Sequence, residues 1–108
     1  MLNREKRKET PQDIYYNSCI HFVKEKNIDN TIRKVYLLDK RFIINKEALL
    51  DTLYDNECVL SEYQDDYYLI FEVSEEYLTP GFTNILFLKL IANEALISIY
   101  DFIVTYRV

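Results

Sequence analysis

The sequence predicts an α+β fold, with an antiparallel sheet of about five to six strands and two helices in the order α-β-β-α-β-β-β-β. Two segments begin with helix-capping residues and repeat apolar residues every three or four positions. Around them lie short runs rich in β-branched and aromatic residues, separated by polar turn residues. With 49% hydrophobic residues in 108, the composition supports one core. We therefore expect a flexible charged arm over residues 1–10 and a single α+β domain over residues 11–108.

The first helix is predicted from residue 11 to about residue 26. Thr10 followed by Pro11 is typical of an N-cap and a first helical position, and Asp13 adds a favourable charge in the first turn. Four apolar residues then recur at helical spacing: Tyr15, Cys19, Phe22 and Val23. Residues 31–38 and 41–44 are rich in β-branched and apolar residues, which predicts a short hairpin.

The second helix is predicted to begin after Asn45 and to end near Asn56. Asn45 is a good N-cap, and Glu47 lies in the first turn. One apolar stripe follows at helical spacing, formed by Leu49, Leu50, Leu53 and Tyr54. Residues 58–63 and 67–73 then read as two strands that flank polar residues 64–66, so the acids at this turn should be exposed.

The last part of the chain, residues 84–106, is compatible with two patterns, and turn residues at positions 79–81 precede it. The density of β-branched and aromatic residues favours two strands joined by a turn at Asn93 and Glu94. The alternative is one long helix, because a stripe with spacings of three and four can also be drawn. Its members are Ile85, Leu88, Ala92, Ala95, Ile99, Phe102 and Tyr106.

The same apolar segment raises the question of a membrane span. Lys89, Glu94 and Asp101 interrupt it, and each charge costs about 2.5–3.5 kcal/mol near the centre of a membrane helix. A buried core segment is the better interpretation. The first nine residues alternate in charge where a secretory signal needs an apolar stretch, and two cysteines are too few for a disulfide framework. We therefore expect a cytoplasmic protein without membrane contact.

The charge of the chain is strongly asymmetric. Residues 1–46 contain eleven Lys and Arg against six Asp and Glu, a net of +5, whereas residues 47–108 contain two against twelve, a net of −10. No basic residue lies between Lys46 and Lys89, and ten acids fall in that gap, Glu72 among them. A negative field of this kind attracts basic protein surfaces and repels nucleic acid, so direct nucleic-acid binding is not expected.

Catalytic, cofactor and metal signatures do not rise above background. A single glycine disfavours glycine-built phosphate loops, so no cofactor is predicted. His21 and Cys19 provide neither the number nor the spacing of zinc ligands, and no metal site is predicted. The paired carboxylates have no reason to differ in environment, which general acid and base catalysis requires. We therefore predict no enzymatic activity.

The most informative group combines acids with tyrosines, as binding surfaces for basic partners do. The predicted partner-binding residues are Glu57, Glu62, Tyr63, Asp65, Asp66, Tyr67, Glu75, Glu76 and Tyr77. The alternative is that the rings fill the core and the acids form a solvated face.

The leading functional hypothesis is a small acidic inhibitor or immunity-type protein, of the kind carried by phages or mobile elements. Its partner would be the basic surface of a nuclease, another nucleic-acid-binding enzyme or a toxin. The alternative is a structural or assembly protein whose basic and acidic halves join copies into homo-oligomers, a homodimer being one form. A small-molecule binder that uses the aromatic residues as a pocket is a third class.

Overall fold

Four antiparallel strands form one sheet in a computed structural model that describes residues 8–108. The strands are β1 (Ile20–Ile28), β2 (Thr31–Asp39), β3 (Cys58–Leu60) and β4 (Tyr68–Ser74), and their order across the sheet is β1-β2-β4-β3. The predicted α+β class is confirmed, but the sheet has four strands rather than five to six. Most of the predicted N-terminal arm, residues 1–7, lies outside the described part of the chain.

The first helix, α1 (Pro11–Cys19), begins as predicted and ends earlier than predicted. The Thr10 hydroxyl accepts from the Asp13 amide at 3.2 Å, and the Asp13 carboxylate accepts from the Thr10 amide at 3.0 Å, which completes a capping box. The chain then enters β1 directly at Ile20, because β1 pairs with β2 from Ile20 to Ile28, with one bulge at Val23. The helical spacing of Phe22 and Val23 was therefore coincidental.

The first hairpin also differs from the prediction, because β2 pairs with β1 and not with residues 41–44. Asp29 and Asn30 form its two-residue turn, with φ values of 51° and 64°. Positive φ at both positions matches the right-handed twist of a hairpin, and Asp and Asn tolerate it well. Residues 41–44 instead contribute to the 3₁₀ turn Lys40–Phe42 and to an isolated bridge between Ile43 and Leu96.

The second helix and the two strands that follow it lie where they were predicted, but β3 ends at Leu60, three residues before the predicted end at residue 63. Helix α2 (Lys46–Asp55) is capped by the Asn45 side chain, whose Oδ1 accepts from the Ala48 amide at 3.1 Å. Strands β3 and β4 then pair antiparallel on either side of the loop at residues 61–67. Gly81 precedes the next helix with φ of 74°, the left-handed region that glycine adopts without steric cost.

The C-terminal part forms two helices, α3 (Phe82–Ala92) and α4 (Ile99–Tyr106), so both the predicted hairpin and the single long helix over residues 84–106 are wrong. Glu94 adopts φ of 59° and ends α3, and Ser98 caps α4 by accepting from the Asp101 amide at 3.0 Å. Leu86, Phe87 and Leu90 of α3 and Phe102 of α4 are buried in the same core as the apolar face of the sheet. This packing outweighs the mild preference of β-branched residues for strands.

All four helices contribute to a core on one face of the sheet. Tyr15 of α1 lies at its centre, with its ring stacked 4.4 Å from Phe102 of α4 and edge-on 4.9 Å from Phe87 of α3. The sheet supplies alternate residues to this core, among them Leu38 and Phe71. No helix of the described part is both long and apolar enough to cross a membrane.

Candidate functional site

The predicted partner-binding residues fall into two groups at opposite ends of β4. The loop surface consists of Glu62, Tyr63, Asp65, Asp66 and Tyr67, which precede β4. The hairpin-end group consists of Glu57, Glu75, Glu76 and Tyr77, because Cys58 pairs with Val73 and the 3₁₀ turn Glu75–Tyr77 follows β4. Seven strand residues separate the groups by about 20 Å. The predicted partner-binding residues therefore form two separate surfaces and not one.

Hydrogen bonds from side chains hold the loop surface in one conformation. The Gln64 amide group donates to the carbonyl oxygens of Ser61 and Ile70 at 2.9 and 2.8 Å and accepts from the Ile70 amide at 2.9 Å. Asp65 Oδ1 accepts from the amides of Tyr67 at 2.7 Å and Tyr68 at 3.3 Å. Gln64 thus takes the place of a strand partner, and Asp65 closes a local turn of the kind that aspartate favours.

Apart from Asp65 Oδ1, which closes the local turn, the side chains of the loop surface form no hydrogen bond or ion pair with the described residues. Tyr63 is 72% exposed and Tyr67 is 76% exposed. Within residues 8–108, no Lys, Arg or His lies within ion-pair distance of the carboxylates of Glu62, Asp65 or Asp66. Large exposed rings beside unpaired carboxylates are not needed by the fold and match the composition of binding surfaces.

Basic residues of the first half lie beside this loop. Lys40 Nζ donates to the Asp65 carbonyl oxygen at 2.7 Å, so it supports the loop backbone and not a carboxylate. Arg41 is bound by the buried Asp39, with Nε and Nη2 at 3.1 and 2.9 Å from Oδ2. The Asp39 hydrogen bond and charge raise the pKa of Arg41. These residues and Asp66 line an open groove at one edge of the loop surface.

The hairpin-end group lies beside a second groove, between the end of α2 and the start of α3. Glu57 and Tyr77 line it with Asp55, Ile85 and other residues of both helices. Glu75 and Glu76 face the turn of the β1–β2 hairpin instead.

The predicted interface tyrosines and the core tyrosines are different residues. Tyr63, Tyr67 and Tyr77 are exposed, whereas the buried rings are those of Tyr15 and Tyr36. Burial raises the pKa of both core tyrosines. The alternative in which the rings of the acid-and-tyrosine region fill the core therefore does not hold for these three positions.

The outer face of the sheet, which none of the four described helices covers, neutralises Glu72, one of the ten acids between Lys46 and Lys89. Glu72 of β4 is buried and accepts from Lys26 Nζ of β1 at 2.7 Å, and Arg33 Nη1 of β2 lies at 3.9 Å. Burial alone would raise the pKa of Glu72, but hydrogen bonds from Lys26 and Ser61 and the two cations outweigh it and lower the pKa. Glu72 is therefore part of a buried ion pair within the sheet and not of the exposed acidic surface.

Cys19 and His21 point to different sides of the sheet. Cys19 ends α1 inside the core, and burial raises its pKa well above the usual thiol range. His21 lies near Tyr68, with ring centroids 6.4 Å apart, and its Nε2 is 3.2 Å from the Ser18 carbonyl oxygen. The described residues contain no group of three or more His, Cys, Asp or Glu side chains arranged for a metal ion.

No protein-family model, curated protein or solved structure matches this chain.

Proposed function

We propose that this protein binds a basic surface of another protein through the loop surface and thereby blocks it, as an inhibitor or immunity-type protein. The observation that carries the proposal is the loop surface itself. It presents two largely exposed tyrosines and three carboxylates that form no ion pair with the described residues, on a backbone fixed by Gln64 and Asp65.

Rigidity matters because binding must offset the entropy of ordering the interface. A flexible loop loses that entropy on association, whereas a loop already hydrogen-bonded in one conformation loses little. The tyrosine rings contribute apolar contact area with few rotatable bonds. The carboxylates of Glu62, Asp65 and Asp66 contribute attraction at a distance and pairing to Lys or Arg on contact.

The chemistry of the loop surface defines the class of target. Enzymes and toxins that act on nucleic acids hold phosphates with clusters of Lys and Arg. A carboxylate-bearing loop competes for the same cations, so one contact both binds the target and excludes its substrate. This mechanism requires no catalytic group in the present chain.

The proposal is tested by capturing partners with tagged protein from a lysate of the encoding organism and measuring the affinity of any captured basic protein. Tyr63→Ala with Tyr67→Ala should weaken binding at least about 30-fold, since truncating two anchoring tyrosines costs about 2 kcal/mol or more. Glu62→Gln with Asp66→Asn should weaken binding and flatten its salt dependence.

Matched controls are available elsewhere on the surface. Glu75→Gln with Glu76→Gln removes the same net charge about 20 Å away, and Tyr100→Ala truncates an equally exposed ring on α4. Both controls should bind like the wild type. If the loop variants keep the same partner with the same affinity as these controls, the loop surface is not the binding site and the proposal is wrong.

Self-assembly is the second candidate, and one observation favours it. The outer face of the sheet carries three cations on the adjacent strands β1 and β2, namely Lys24, Lys26 and Arg33. Among the residues paired with them across the sheet, Glu72 is the one acid. The acidic loop surface of another copy complements this excess of cations. Light scattering at low and high salt tests it: an oligomer that dissociates in salt supports assembly, and a monomer under both conditions removes it.

A further inference from the structure

Helix α3 is apolar around most of its circumference, yet one side of it faces solvent. Eight of its eleven residues are apolar, and Leu86, Phe87 and Leu90 fill the core. On the other side Ile85 is 48% exposed and Leu88 is 38% exposed. A helix that is hydrophobic all round is normally buried on all sides. Three residues apart, Ile85 and Leu88 lie on one stripe, so the uncovered part is continuous.

Ile85 of this stripe lines the groove at the hairpin end, and Leu88 lies beside it, outside the groove. Ile85 and the half-buried Phe82 line the wall on α3, and the exposed ring of Tyr77 lies beside them. The opposite rim carries Asp55 and Glu57 at the end of α2. The groove encloses about 350 Å³ and combines an apolar wall with an acidic rim.

The acidic rim is short of positive charge. Lys89 lines the groove, but its Nζ donates to Asn56 Oδ1 at 2.8 Å, and within the described residues no ion pair joins it to Asp55 or Glu57. The last turn of α2 contains no basic residue. The C-terminus of a helix carries a partial negative charge of its own, which adds to that of the two carboxylates.

We propose that this groove docks an amphipathic helix of a partner protein, with the apolar side of that helix on Ile85 and Leu88 and its Lys or Arg residues against Asp55 and Glu57. The exposed stripe supplies the apolar anchor, as in other helix-in-groove contacts. The cations of the partner complement both the rim and the α2 terminus. A second copy of this chain fits less well, because its corresponding rim would bring the same carboxylates together.

The test uses a synthetic peptide of roughly 18 residues with Leu and Lys at helical spacing, and a counterpart in which Glu replaces Lys. Fluorescence anisotropy of the labelled peptides measures binding to the full chain. The Leu and Lys peptide should bind at least about 10-fold more tightly than its Leu and Glu counterpart. Ile85→Asn with Leu88→Asn should weaken binding about 10-fold or more, and Asp55→Asn with Glu57→Gln should weaken it and reduce its salt dependence.

Two controls separate this groove from general attraction to an acidic protein. Glu94→Gln with Asp101→Asn removes the same charge outside both the groove and the loop surface, and Val104→Asn changes an exposed apolar residue on α4. Both should leave binding unchanged, with far-UV circular dichroism confirming that every variant is folded.

Equal weakening by the Glu94 and Asp101 variant would overturn the proposal, as would peptide binding that the Ile85 and Leu88 variant leaves unchanged. A wild-type dimer that the Ile85 and Leu88 variant dissociates would assign the groove to a second copy instead. The groove and the loop surface lie at opposite ends of the sheet. Failure of the groove proposal therefore does not contradict the proposed function, which is tested separately by the loop variants.

Discussion

The ion pair between Lys26 and Glu72 should stabilise the fold, and replacing Lys26 with Met tests this directly. Lys26 lies on the edge strand β1 and reaches across β2 to a carboxylate on β4. The pair therefore connects β1 to β4 across β2 on the outer face of the sheet. Met has a similar length and keeps the apolar stem on the sheet while removing the charge.

The size of the effect follows from the burial of the two groups. Glu72 is only 6% exposed, so water cannot replace the lost ammonium. Removing one partner of a fully buried pair costs about 3–5 kcal/mol, but Ser61 and the more distant Arg33 still serve Glu72, so we expect about 2–3 kcal/mol. Glu72→Gln should cost less, about 1 kcal/mol, because Lys26 is 25% exposed and can turn to water.

The free energy of unfolding is measured by urea denaturation followed by circular dichroism. Lys24→Met is the matched control, since Lys24 lies two residues away on the same strand and forms no ion pair with the described residues. It should change stability by less than about 0.5 kcal/mol. If the Lys26 and Lys24 variants lose the same amount, the ion pair does not stabilise the sheet.

Acid should remove the contribution of Glu72. Its pKa is lower in the folded state than in the unfolded chain, so its ionised form favours folding. That contribution is complete above the unfolded pKa of about 4.3 and is lost as the pH falls through the lower folded value. The stability gap between wild type and Glu72→Gln should therefore be constant near neutral pH and close on acidification. A gap that widens in acid would contradict this reasoning.

Three other predictions concern single side chains. Tyr15→Phe removes the hydroxyl that donates to the Ile97 carbonyl oxygen at 2.8 Å and keeps the ring, so urea denaturation should show a loss of about 1–2 kcal/mol. Glu57 follows α2 with φ of 63°, and Glu57→Gly should raise the thermal midpoint by relieving about 1 kcal/mol of backbone strain; a lower midpoint would refute this. Burial raises the pKa of Cys58 to about 12 and that of Cys19 further, so a thiol reagent at pH 8 should modify them only after urea is added.

Local signals in the sequence identified the elements that local chemistry defines. Thr10 and Asn45 cap the first two helices because their side-chain oxygens satisfy amides that no helix residue can reach. The polar residues 64–66 mark the loop between β3 and β4, and here too the responsible bonds are local. These elements could be predicted because the residues that define them are neighbours in the sequence.

The elements that were missed depend on tertiary packing. The apolar residues at the start of β1 are spaced as in a helix, and the segment is a strand because it pairs with β2. The Asp29 and Asn30 turn could have indicated this hairpin, since both residues favour a two-residue turn. Helices α3 and α4 are so rich in apolar and β-branched residues that both a helical stripe and a strand alternation can be drawn through them. Their conformation is set by the sheet, which leaves one apolar face to be covered.

The sequence identified the acids and tyrosines of the candidate site, but it did not show that they lie in two separate groups. The acids and tyrosines were identified, but a strand of seven residues between Tyr67 and Glu75 already implies that the two groups lie about 20 Å apart. The alternation of the same strand also places Glu72 on the opposite face from Phe71, where cations of β1 and β2 reach it. The length of β4 therefore indicates that the two acidic groups are separate, and the alternation of its side chains indicates that Glu72 lies apart from both.

The separation of the two acidic groups determines how the protein presents its charge to partners. At physiological ionic strength the Debye length is about 8 Å, well below the roughly 20 Å between the loop surface and the hairpin-end group. Each group therefore acts on a partner almost independently of the other, and the neutralised Glu72 between them adds no field to join them. A net charge of −5 thus describes two local anionic surfaces, not a uniformly acidic molecule. Neutralising either one leaves the potential at the other nearly unchanged, which is why Glu75→Gln with Glu76→Gln is a valid control for the loop surface.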